Sequence, residues 1–280
     1  MKKTGLIGYP LGHSISPAMH NAAFKALGID AEYSLYEVRP EELGDEVDDF
    51  RGNDYLGFNV TVPYKCDLMR YVDDVTKLAD LIGAINTVVN RDDKLIGYNT
   101  DGPAFIQSLN EDGNFDPKDK IAVVLGAGGA GRAVSVMLAE SKAKKIIISD
   151  VISEKAEELA GYINAELHCK CKFIPIDGIG GIIKEAQLLV NSSPIGMYPK
   201  VEEIPLPYDC ELHSHLVVYD LVYNPRESRL LKKAKEAGAK AISGLGMLVR
   251  QGALAFSIFT DEEPPIEIMW EAAEKALINR

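Results

Sequence analysis

Gly126-Ala127-Gly128-Gly129-Ala130-Gly131 spells G-x-G-x-x-G. Such a loop can cradle a pyrophosphate. Its glycines permit a tight turn and close backbone approach, and the N–H groups of a following helix face the anion. The surroundings agree with that chemistry. Ile121–Leu125 is an apolar strand-like run before the loop, Ala130–Ser141 reads as a helix after it, and Lys145–Ser149 reads as a second strand. Asp150 ends that strand, 19 positions after Gly131. A carboxylate there can accept hydrogen bonds from adenosine ribose hydroxyls and repels a 2′-phosphate. It can also simply cap the next helix. Val151 and Ile152 follow, and neither can clamp a phosphate, so the residues favour NAD over NADP.

Two series of alternating strands and helices position these residues. In the first, Thr4–Gly8, Ala31–Val38 and Tyr55–Val62 read as strands. Ser16-Pro17 opens a helix that Gly28 ends, and Pro63 starts another. Ala84–Asn90 and Lys94–Thr100 pair around Arg91-Asp92-Asp93, and Gly102-Pro103 starts a helix to about Asp112. After a polar link at Gly113–Asp119 the second series adds a helix at Ser153–Ile163, apolar strands at Leu188–Asn191 and Leu216–Leu221, a helix at Pro225–Ala237, a short strand at Lys240–Ser243 and a helical tail from Leu245. Alternation of this kind implies parallel sheets covered by helices, here in two α/β domains with a cleft between them.

The formal net charge of −12 opposes nucleic acid and anionic membrane surfaces, and Lys142, Lys144 and Lys145 are the nearest approach to a basic patch. No basic-then-apolar leader and no bilayer-length apolar run is present, which leads to the expectation of a cytoplasmic protein. His168-Cys169-Lys170-Cys171 lacks a second ligand cluster of zinc spacing. With Leu167 and Phe173 it alternates like a half-buried strand, so no metal is expected.

Several polar segments make little sense as fold alone: Gly12 to Asn21, Asn59-Val60-Thr61-Val62-Pro63-Tyr64-Lys65, Gly83-Ala84-Ile85-Asn86-Thr87, Asn99-Thr100-Asp101, Asn191 to Met197, Asp220 to Pro225, and Gly244 to Ala253. In this order around the glycine loop they closely resemble the shikimate dehydrogenase family, from Gly8 to about Phe259. The resemblance implies reversible reduction of 3-dehydroshikimate to shikimate. It also implies a substrate-binding catalytic domain at residues 1–102, completed by helices at 247–280, and a Rossmann-type dinucleotide-binding domain at 103–246.

By resemblance Lys65 is the catalytic acid/base and Asp101 its partner. Oxidation of an alcohol moves a proton from the hydroxyl as hydride leaves the carbon, so a shuttle must lie within hydrogen-bond reach of that oxygen. A carboxylate beside a lysine favours the ammonium form, so Asp101 is expected to orient it and share the hydroxyl. Ser14 and Ser16 look like donors to the substrate carboxylate; Ser16 can cap the helix as well. Asn59, Thr61, Asn86, Tyr223 and Gln251 would bond the ring hydroxyls. Gly126, Ala127, Gly128, Gly129, Ala130, Gly131 and Asp150 would hold the dinucleotide, with Leu221, Gly244 and Met247 around the nicotinamide.

Two departures from the family pattern stand out. Asp150-Val151-Ile152 replaces the Asn-Arg-Thr common among members that use NADP, the family default, and Ala104 stands where glycine is common. A quinate/shikimate dehydrogenase of broader specificity is the near alternative, and a ligand-sensing homologue without chemistry the remote one; retention of both Lys65 and Asp101 argues against the latter. The partner expected is a small molecule, and a homodimer is left open.

Overall fold

The computed structural model describes residues 1–12, 14–52 and 54–278. His13, one of the residues in the Gly12 to Asn21 segment, lies outside them. The chain divides into two compact units, Met1–Asp101 with Val249–Arg280, and Gly102–Leu248.

The first unit begins with β1 (Lys2–Gly8), α1 (Ser16–Leu27), β2 (Ala31–Glu37), α2 (Leu43–Asp49), β3 (Gly57–Val60), β4 (Asp74–Val75), α3 (Lys77–Ile82), β5 (Thr87–Arg91) and β6 (Lys94–Tyr98). These strands form one sheet in the order β2-β1-β3-β5-β6-β4. The sheet is mixed, where the alternation of elements predicts parallel sheets. β1 runs parallel to β2 and β3, but β5 is antiparallel to both β3 and β6. The cause is the tight turn at Asp92 and Asp93, whose φ values of 52 and 64° fold β5 directly back on β6 as a hairpin.

Three local expectations in this unit fail. Pro63 starts no helix: Thr61–Tyr64 is a turn closed by the Tyr64 amide on Thr61 O at 3.0 Å, and a short 3-10 turn at Asp67–Tyr71 follows. The strand expected over Tyr55–Val62 shrinks to β3. Ser16 does not cap α1. It is the first helical residue, Ile15 precedes it, and no side chain caps that end, while Gly28 closes the other end at φ 65°.

The second unit opens with α4 (Asp101–Glu111), of which only Asp101 belongs to the first unit. It contains β7 (Ile121–Leu125), α5 (Gly129–Glu140), β8 (Lys145–Ser149), α6 (Ser153–Glu166), β9 (Cys171–Phe173), α7 (Ile179–Ile183), β10 (Leu188–Asn191), β11 (Val217–Asp220), α8 (Arg229–Glu236) and β12 (Lys240–Ser243). The strand order is β12-β11-β10-β7-β8-β9 with every pairing parallel. This is the doubly wound order, whose direction of winding reverses between β7 and β10. Both faces are covered. Val124, Ile146, Ile148 and Val190 enter one apolar cluster, and Val123, Ile147, Leu189 and Val218 enter another. Continuous apolar runs are what such a sheet requires.

β9 is shorter than the alternation at residues 167–173 predicts, because His168 takes φ 50° and breaks the extended run. The helix expected from Pro225 begins at Arg229, where the Ser228 side chain caps it by accepting the Leu231 amide at 3.3 Å. The chain ends with α9 (Leu245–Thr260) and α10 (Ile266–Ile278), and α10 packs on α1.

Candidate active site

Lys65 lies beyond the carboxyl end of β3, and Asp101 begins α4 just after β6. The backbone around Lys65 is pinned on both sides. Its carbonyl accepts the Ile85 amide at 2.8 Å, and the buried Tyr64 donates its hydroxyl to Val38 O at 2.6 Å. Lys65 therefore sits in a fixed turn rather than on a helix. Its Nζ donates to Asp101 Oδ2 at 2.6 Å, with the two side chains only 15% and 6% exposed. A pair this sheltered holds its geometry better than a surface ion pair.

Asn86 completes the group. Its Nδ2 lies 3.0 Å from Asp101 Oδ1, 2.8 Å from Thr100 Oγ1 and 3.3 Å from Gln251 Oε1, while its Oδ1 accepts the Thr100 amide at 2.7 Å. Four of the residues named from the sequence, Lys65, Asp101, Asn86 and Gln251, thus come together within the first unit.

Asn59 is buried and largely committed to the fold. Its Nδ2 donates to Thr87 Oγ1 at 2.9 Å and Asn86 O at 3.1 Å, and its Oδ1 accepts the Tyr33 hydroxyl at 2.9 Å. One acceptor position on Oδ1 remains for a ligand. Thr61 is half-buried, with its amide on Ile7 O at 2.9 Å. A Cβ on Gly8 would lie 2.5 Å from Thr61 Cγ2, so glycine is needed beside it. Ser14 Oγ donates to Ser16 Oγ at 3.1 Å and accepts the Ser16 amide at 3.2 Å.

The second unit carries the glycine loop between β7 and α5. Gly126 has φ 107°, and a Cβ on Gly131 would meet Gly126 O at 2.1 Å; neither position admits a side chain. Gly128 precedes the helix, and a Cβ there would meet nothing within 4 Å. Open backbone at a helix N-terminus suits a pyrophosphate. Asp150 braces the loop from β8: its Oδ2 accepts the Ala127 amide at 2.6 Å and its Oδ1 accepts the Ile152 amide at 2.8 Å. Each oxygen keeps a further lone pair. The neighbouring Val151 is 83% exposed and Ile152 45%. Gly244 packs so closely on Leu221 that a Cβ would lie 2.1 Å from its carbonyl oxygen; Met247 is buried in the core of this unit, and Tyr223 is half-buried.

Sequence reading passes over three contributors. Ser192 donates from its Oγ to Leu125 O at 2.8 Å and sits 3.1 Å from Gly126 O, linking the end of β10 to the glycine loop. Asp220, fully buried at the end of β11, accepts from Ser228 Oγ, from Asn191 Nδ2 at 2.9 Å and from the Val222 amide at 3.1 Å. It fixes both ends of the segment carrying Leu221 and Tyr223, and burial pushes its carboxyl up to about 6. Its place at a strand's carboxyl end, like that of Asp150, is the available signal. The third is Tyr33, which no local pattern marks.

Comparison with known proteins decides what this arrangement belongs to. Residues 6–88 match the shikimate dehydrogenase substrate binding domain, and residues 244–274 match the shikimate 5′-dehydrogenase C-terminal domain. The shikimate dehydrogenase (NADP(+)) of Methanopyrus kandleri is 47% identical over 96% of this chain and 93% of its own. The chain belongs to the shikimate dehydrogenase family. As a member it is an enzyme, an oxidoreductase. A shikimate dehydrogenase solved in complex with NADP+ superposes at a TM-score of 0.92, with 44% identity and coverage of 99% of this chain and 96% of the other. The Listeria monocytogenes shikimate 5-dehydrogenase, solved with shikimate and NAD, gives 0.88 and 38%, covering 97% and 96%. In this family member no helix among the described residues is long and apolar enough to cross a membrane.

Proposed function

We propose that this enzyme interconverts shikimate and 3-dehydroshikimate, with Lys65 moving the proton and NAD favoured over NADP. The observation that carries the first part is the sheltered Lys65–Asp101 pair beside Asn86 and Gln251. A bound nicotinamide dinucleotide supplies or accepts the hydride at the substrate carbon. Asp101 holds the Lys65 ammonium at a fixed point. In the direction of reduction Lys65 Nζ gives a proton to the oxygen that becomes the hydroxyl, and in oxidation it takes that proton back. Asn86, Asn59, Thr61, Gln251 and Tyr223 pair with ring hydroxyls, and Ser14 and Ser16 with the carboxylate. Pairing of this kind rejects analogues that lack a hydroxyl.

The cofactor preference rests on Asp150, Val151 and Ile152. The glycine loop and the start of α5 would hold the pyrophosphate, and Asp150 the adenosine ribose. A 2′-phosphate would meet the Asp150 carboxylate and two exposed apolar side chains with no arginine among them. A charge-assisted hydrogen bond contributes about 1.5–3 kcal/mol, which corresponds to tenfold or more in affinity. Initial rates crossing shikimate and quinate with NAD and NADP test both parts. Highest kcat/KM with shikimate and NAD is expected. A clear preference for quinate overturns the substrate, and equal or better efficiency with NADP overturns the cofactor reading alone.

A further inference from the structure

The peptide between Gly126 and Ala127 is gripped at both ends. Its carbonyl accepts from Ser192 Oγ at 3.1 Å, and its N–H donates to Asp150 Oδ2 at 2.6 Å. Ser192 follows β10 and Asp150 follows β8, the two neighbours of β7 in the sheet. The peptide is trans, so its C=O and N–H point in opposite directions, and a partner on each fixes the plane. Ser192 is itself anchored. Its amide donates to Leu125 O at 2.8 Å, and its one hydroxyl proton is shared between Leu125 O at 2.8 Å and Gly126 O.

The glycines of the loop make room for that hydroxyl. A Cβ on Gly126 would lie 2.8 Å from Ser192 Oγ, and one on Gly131 would lie 2.9 Å from it. The hydroxyl therefore fills a notch between the first and last glycines of the fingerprint. Gly126, at φ 107°, has no side chain to restrict rotation of the peptide that follows it, so that peptide depends on outside partners.

We propose that Ser192 is a positioning residue for the dinucleotide: with Asp150 it holds the Gly126–Ala127 peptide in the orientation that presents the open amides at the start of α5 to the pyrophosphate. This rests on the reading above that the glycine loop holds the pyrophosphate. A peptide free to rotate would present that face for part of the time only, and apparent affinity falls with the competent fraction. Either grip alone holds the plane in part, and loss of both releases it. Ser192 and Asp150 are therefore coupled through one peptide, although they approach it from different strands.

Calorimetric titration of NAD into Ser192→Ala, Asp150→Ala and the double variant tests the proposal. Ser192→Ala should weaken NAD binding about threefold or more, as loss of one neutral hydrogen bond does, with KM for shikimate within about twofold of wild type. The double variant should bind NAD at least about threefold more weakly than the product of the two single effects, because the two residues act on one peptide. A double variant equal to that product, or better, overturns the proposal. So does a lowered melting temperature when Ser192→Ala leaves NAD affinity unmoved in both backgrounds, the mark of a structural role only. Gly128→Asp separates this inference from the reading beneath it. A Cβ at Gly128 would meet nothing within 4 Å, so the fold should be kept while a negative charge enters the place of the pyrophosphate. Unmoved NAD affinity in Gly128→Asp removes the pyrophosphate from the loop, and this inference falls with it. Lost affinity there, with independent effects at Ser192 and Asp150, overturns this inference alone. Should the double variant fail to fold, amide hydrogen exchange followed by NMR on Ser192→Ala decides. The Ala127 amide should exchange at least about threefold faster while the amides of β7 keep their rates, and an unchanged Ala127 rate overturns the proposal.

Discussion

Asn86 binds the partner of the proton shuttle rather than the shuttle itself: its Nδ2 lies 3.0 Å from Asp101 Oδ1, and Asp101 gives its other oxygen to Lys65. The same side chain accepts the Thr100 amide. Asn86→Ala should therefore lower kcat/KM for shikimate by at least about tenfold, as loss of a hydrogen bond to a charged group does. It should also destabilise the fold by about 1–3 kcal/mol through the orphaned Thr100 amide. Urea melts and steady-state kinetics on one preparation check both. Unaltered kcat/KM would remove Asn86 from the site.

His20 gives the first unit a pH dependence. Burial in an aromatic cage lowers its pKa from the ordinary 6.5 to about 3. Below 6.5 the unfolded chain takes up a proton that the folded chain refuses, so stability falls as pH falls through that window. The loss is about 2 kcal/mol between pH 7 and pH 5. His20→Phe should remove that component, measured as the difference between variant and wild type in urea at the two pH values. Identical slopes would contradict the expectation.

Asp220 acts with the opposite sign in the second unit. Its pKa rises from 3.8 to about 6, chiefly by burial. Between those values the folded state holds a proton that the unfolded state has released. This contribution is full below about pH 4 and is lost as pH rises through 6, about 2 kcal/mol of it between pH 4.5 and pH 7. Hydrogen exchange resolved to β10 and β11 should show protection falling over that range, and less so in Asp220→Asn. Protection that rises with pH in wild type relative to the variant would reverse the sign and refute this.

Legibility tracks how locally each feature is encoded. β8, β10 and β12 match the sequence reading residue for residue. β8 and β10 lie inside a sheet buried on both faces, and the apolar residues of both strands are fully buried. Pro63 misleads because proline at a first helical position permits a helix without requiring one. Here Tyr64 and Leu68 turn inward to the core and the chain makes only a short 3-10 turn. The mixed sheet escapes a reading based on alternation, because the hairpin at Asp92-Asp93 is visible as a pair but its consequence for strand direction is not local. Lys65 and Asp101 are legible only as parts of ordered motifs. Tyr33 is not legible at all, since its partner Asn59 lies 26 positions away and only the folded sheet brings them together.

The cofactor reading makes its own prediction. Asp150→Asn with Val151→Arg removes the repelling charge and adds a phosphate partner, and should move the ratio of kcat/KM for NADP over NAD upward by about tenfold or more. The introduced asparagine can still accept the Ala127 amide through its one oxygen, so the glycine loop should keep its shape. An unmoved ratio would show that Asp150 braces the loop and has no part in choosing the cofactor.

Replacing Lys65 tests the central claim most directly. Lys65→Ala should leave KM for shikimate within about tenfold while kcat falls by about 10²–10⁴, the pattern of a group that acts in proton transfer rather than in binding. A Lys65→Ala enzyme that keeps more than a tenth of wild-type kcat would contradict it.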